Sequence, residues 1–96
     1  MTEQPSTDEQ KADWRALHER MTEARDREAR FEQESLSYLR LAVRGDEHAA
    51  IFIESALNAT RSAEAANADW AALYEVHLAH PYTAEIEARR AAKVEQ

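Results

Sequence analysis

Cysteine is absent from the 96 residues, which removes disulfide scaffolds and thiolate zinc sites. Glycine occurs once and proline twice. A glycine-rich loop that cradles phosphates cannot be built from one glycine, and few positions remain where a helix must stop. The longest purely apolar run, Ala49-Ala50-Ile51-Phe52-Ile53, falls far short of the roughly 20 residues that cross a bilayer. Met1 to Ser6 is polar and lacks the apolar segment of a classical signal peptide, so the expected location is the cytoplasm. Bases are outnumbered: 12 Lys and Arg against 19 Asp and Glu give a net charge of −7. That is the reverse of the basic stripe by which nucleic acid is bound. Neither nucleic acid nor membrane is an expected partner.

With so few breakers, their positions divide the chain. Pro5 lies in a polar stretch, Gly45 near the middle, and Pro81 after a long uninterrupted segment. Residues 1–6 are expected to form a disordered polar tail. Ser6 or Thr7 can cap a first helix of about residues 8–44, with Asp8 and Glu9 at the positive end of its dipole. An apolar stripe then recurs in steps of three and four, from Trp14, Leu17, Met21 and Ala24 through Glu28, Phe31 and Ser35 to Tyr38 and Ala42. Leu36, Leu39 and Val43 widen it toward the C-terminal end. Gly45 suits the left-handed residue that closes a helix, and Asp46 suits the N-cap of the next. Helix capping accounts for the Arg44-Gly45-Asp46 triplet, which also has the form of a cell-adhesion ligand.

The second helix is expected over about residues 47–80. Its seam is rich in alanine (Ala49, Ala56, Ala59, Ala63, Ala66), with larger residues clustered at both ends and Thr60 and Asn67 as polar interruptions. Residues 81–96 predict a short C-terminal helix or tail. The fold class is therefore all-α: a long antiparallel helical hairpin that dimerises into a four-helix bundle, because two helices alone leave one side of each seam wet. The competing arrangement breaks a long helix and wraps three or four short ones into a monomer. A turn centred on Gly45 makes facing residue numbers sum to about 90, placing Trp14 near Val76, Met21 near Trp70 and Phe31 near Ala59.

Charge is uneven along the chain. Residues 7–45 carry nine acids and eight bases, whereas residues 46–80 carry six acids and only Arg61. An acidic second helix can attract a basic protein partner, which makes Glu54, Glu64 and Asp69 candidate partner-binding residues. Trp14, Trp70 and Tyr74, with Tyr82, gather at the open end of the hairpin and suit a docking patch, since Trp and Tyr dominate interface hot spots.

Histidine supplies the candidate chemistry. His77 and His80 share a helix face, His18 falls near them across the hairpin, and Glu75 can join, giving a possible ligand set of His18, His77, His80 and Glu75 for zinc, nickel or iron. The Glu47-His48 pair running on to Glu54 resembles the small encapsulated ferritins, which build an iron site between hairpins. The position three before His48 is Gly45, where that family needs a ligand. The small secreted helical hairpins with a Trp-x-Gly turn have a similar architecture. Here the tripeptide is Val43-Arg44-Gly45, so the glycine matches and the tryptophan does not. The residues favour a non-enzymatic protein-interaction module, such as an adaptor, accessory or inhibitor. A metal-binding bundle and a small secreted hairpin are the alternatives, and no cofactor is expected.

Overall fold

A computed structural model describes residues 5–94. It consists of α1 (Asp8–Val43), α2 (Ala49–Ala79) and α3 (Pro81–Val94). The first two pack side by side, and α3 lies beside the start of α1, with Thr83 against Trp14 and Glu85 against Ser6. Of the tail expected over 1–6, residues 1–4 lie outside the described residues. Ser6 is tied down, its amide donating to Glu85 Oε2 of α3 at 3.0 Å.

Each boundary has a local cause. Thr7 caps α1 by accepting from the Gln10 amide, while the Gln10 side chain accepts from the Thr7 amide, so two orphan donors are satisfied reciprocally. At the other end Gly45 adopts φ 71° and its amide donates to the Ala42 carbonyl at 3.0 Å, closing α1 as a left-handed residue can. Asp46 does not cap α2 as its position suggested. Its carboxylate accepts from the His48 amide at 2.8 Å, stabilising a separate turn, and α2 begins at Ala49 without a side-chain cap. It then runs unbroken through Asn67 to Ala79. His80 is extended (φ −74°, ψ 132°), as the residue before a proline must be. Pro81 opens α3, where its missing N–H costs nothing.

The register differs from the expected sum of about 90. Touching residues sum to 95 for Ser35 with Thr60 and His18 with His77, 96 for Arg27 with Asp69, and 92 for Arg25 with Asn67. Two effects produce the shift. The connection is centred on Asp46 rather than Gly45, which adds about two. Helical side chains also lean toward their own N-terminus by about one position, which in antiparallel neighbours adds about two more. Trp14 therefore meets Thr83 and His77 instead of Val76, and Trp70 carries Arg25. Phe31 and Ala59 do line one groove together.

The molecule measures 69 × 29 × 16 Å. Its least dimension is little more than one helix with its side chains, so the hairpin is a single layer. The core is correspondingly thin: Leu17 and Met21 toward the open end, then Ala24, Ala56, Ala59, Ala63 and Ala66. Among the described residues no large side chain is fully buried. A layer of this kind ordinarily needs a second one to close a core.

Candidate functional site

The two broad sides of the hairpin differ. On one, a groove of about 430 Å³ runs between the helices, lined by Glu28, Glu32, Ser35 and Leu36 from α1 and Thr60, Ala63, Glu64 and Asn67 from α2. Small residues create it. Ala63 leaves the floor open, and the polar step beside it is internally satisfied. Thr60 donates its hydroxyl proton to the Ala56 carbonyl at 3.0 Å and so accepts from Ser35 Oγ at 2.9 Å. Toward the turn the same side becomes apolar. Leu39 and Val43 follow Leu36 in steps of three and four, and Leu57 and Ile53 precede Thr60 likewise, so both stripes share this side. Leu36, Leu39, Ile53 and Leu57 remain 43–53% exposed. The opposite side carries Glu34, Tyr38, Ser55, Asn58 and Ser62 around Phe31, with Ile51 exposed on the same face of α2 nearer the turn.

Arg25 closes the open-end limit of the groove. Its Nη1 donates to Glu28 Oε1 at 2.7 Å and to Asn67 Oδ1 at 3.1 Å, while the guanidinium lies 3.7 Å above the Trp70 ring. Glu28 is therefore paired within its own helix. Charge-assisted bonds combined with cation–π stacking are the arrangement to which an arginine fork is best suited. One helical turn further along, Glu32 and Glu64 have no ion-pair partner among the described residues.

The open end holds a hydrogen-bonded polar cluster that fastens α3. Trp14 Nε1 donates to Thr83 Oγ1 at 3.0 Å, and Thr83 passes its own proton to the His77 carbonyl at 2.7 Å. His77 Nδ1 faces His18 Nε2 at 2.9 Å, so one proton lies between the two rings. His80, 8% exposed, accepts the Tyr82 amide on Nδ1 at 3.1 Å. Its other nitrogen then carries the proton and points at Asp13 Oδ2, 3.2 Å away. These tautomers follow from the partners. Burial, and secondarily the neighbouring His77, lower the His18 pKa below its ordinary 6.5. Trp14 packs on His18 (centroids 3.8 Å) and edge-on to Tyr82 (5.2 Å), while Trp70, Tyr74 and His77 form a stack.

Of the four proposed metal ligands, His18 and His77 meet, His80 is committed to Asp13 and the Tyr82 amide, and Glu75 is exposed, two residues before His77. They do not converge as a ligand set. Among the described residues, no group of three or more His, Cys, Asp and Glu side chains is placed to hold a metal ion. The three partner acids also separate. Glu64 lines the groove, Asp69 pairs loosely with Arg27 at 3.6 Å, and Glu54, two residues before the buried Ala56, points away from α1. Trp14, Trp70 and Tyr74 do share the open end, joined through His77. Sequence reasoning missed Asp13, Thr83 and Arg25. The signal that finds them is the register: with sums of 92–97 they fall opposite His80, Trp14 and Asn67. No helix among the described residues is long and apolar enough to cross a membrane. No protein-family model, curated protein or solved structure matches the chain.

Proposed function

We propose that this chain is a non-enzymatic protein-interaction module that completes its core by docking the groove side of the hairpin on another polypeptide. The supporting observation is a contiguous cluster of exposed apolar residues on the groove side. Leu36, Leu39, Ile53 and Leu57 stand about half exposed on the groove side of a layer whose own core is largely alanine. Covering each remaining half is worth roughly 1 kcal/mol. The second layer can come from another hairpin of the same kind, giving a four-helix bundle, or from a different protein; adaptor, accessory and inhibitor roles all use such a surface.

Native mass spectrometry of the tagged chain, recovered gently from its host, tests this reading. A defined complex of more than one polypeptide is expected, and it should be lost in a Leu39→Lys/Leu57→Lys variant of unchanged helical content. A single-chain mass for both proteins contradicts the proposal.

A further inference from the structure

Resting on the interaction reading above, we infer that the groove takes a basic amphipathic helix of another protein, with an arginine seated between Glu32 and Glu64. The chain carries its own pattern for such an occupant. At the open-end limit of the groove, the guanidinium of Arg25 lies 3.7 Å over Trp70 while bonding Glu28 and Asn67: an apolar bed with a carboxylate and an amide oxygen at its edge. The next turn repeats the chemistry without the cation. Glu32 from α1 and Glu64 from α2 line the groove together with Ala63 and Leu36, and neither has an ion-pair partner among the described residues.

The charge balance selects the class of occupant. Arg25 is the cation bonded at this groove, and it is already engaged by Glu28. A second copy laid groove to groove doubles the unpaired carboxylates of this side and adds no groove cation that is not already engaged, and like charges brought together are penalised. A helix with arginine or lysine beside an apolar stripe instead supplies the missing cation and covers Leu36, Leu39, Ile53 and Leu57 with side chains at i, i+3, i+4 and i+7. Arginine fits better than lysine, because its planar fork can engage two carboxylates while its face rests on apolar atoms.

The test places a diazirine-bearing residue at Leu39 in the host, irradiates, and sequences the cross-linked segment by mass spectrometry. The expected product joins Leu39 to a net-positive amphipathic segment of a different protein. That segment, made as a synthetic peptide, should bind the purified chain with an affinity that falls at least ~10-fold in Glu32→Gln/Glu64→Gln and further in Glu32→Arg/Glu64→Arg. A Glu9→Arg/Glu87→Arg control, altering charge elsewhere, should leave affinity within about twofold. Cross-linking to a second copy, to an acidic or uncharged segment, or affinity indifferent to the Glu32/Glu64 changes overturns this inference while leaving the interaction module standing. Absence of any cross-link overturns both.

Discussion

His18 Nε2 and His77 Nδ1 lie 2.9 Å apart, linking α1 to α2 where α3 is fastened. One proton between two rings is the arrangement that fits. The fold lowers the His18 pKa, chiefly by burial and then by the charge of His77. A histidine whose folded-state pKa is depressed is favoured neutral by the fold. As pH drops below the unfolded value of 6.5, the unfolded chain takes up a proton that the folded chain resists. Stability is therefore full above pH 6.5 and declines on acidification toward the lowered value. Thermal melts from pH 7.5 to 5.5 should show this loss, and His18→Gln should flatten it. Equal slopes for both proteins contradict the role given to His18.

Thr83 joins three elements through one hydroxyl, accepting from Trp14 and donating to the His77 carbonyl. Thr83→Val keeps the shape but strands the Trp14 indole N–H and leaves the His77 carbonyl with only the His80 amide, 3.2 Å away, so a loss of about 1–3 kcal/mol is expected. Thr83→Ser restores the hydroxyl and should recover most of it. Urea denaturation measures the loss, and faster amide exchange confined to α3 would locate it.

Gly45 holds φ 71°, and a β-carbon added there would meet only the Val43 carbonyl oxygen, at an ordinary 4.0 Å. Substitution meets no obstacle except the backbone conformation itself. Gly45→Ala should cost about 1 kcal/mol, a fall in Tm of roughly 4–8 °C for a domain this size. An unchanged Tm would mean that the turn relaxes into another form.

Ala24 is fully buried at the helix–helix seam, whereas Ala29 is exposed. Ala24→Leu forces the helices apart and should destabilise by about 1–3 kcal/mol, while Ala29→Leu should be close to neutral. Similar effects of the two changes would contradict the packing of α1 on α2.

Much of the fold was legible in the sequence because its signals are local. The three- and four-residue steps from Trp14 to Ala42, the single glycine and the lone interior proline define three helices without tertiary information. The register was less accessible. It depends on whether Asp46 caps a helix or a turn, and on a lean of about one residue per side chain, neither of which periodicity records. That shift hid the partnership of Asp13 with His80 and of Trp14 with Thr83. The groove was legible only in pieces. The alanine seam, the extra Leu36-Leu39-Val43 stripe and the acids of α2 were all visible, but only the fold puts Glu64 on the groove side and turns Glu54 and Asp69 away from it.

The central claim is that the groove side of the hairpin is covered by another polypeptide. Radical footprinting of the chain in host lysate, set against the purified chain at low micromolar concentration, tests this most directly. Leu36, Leu39 and Leu57 should label readily in isolation and be protected in lysate, while Tyr38 and Leu41 should label equally in both. Equal labelling of all five residues, or protection confined to Tyr38 and Leu41, would contradict it.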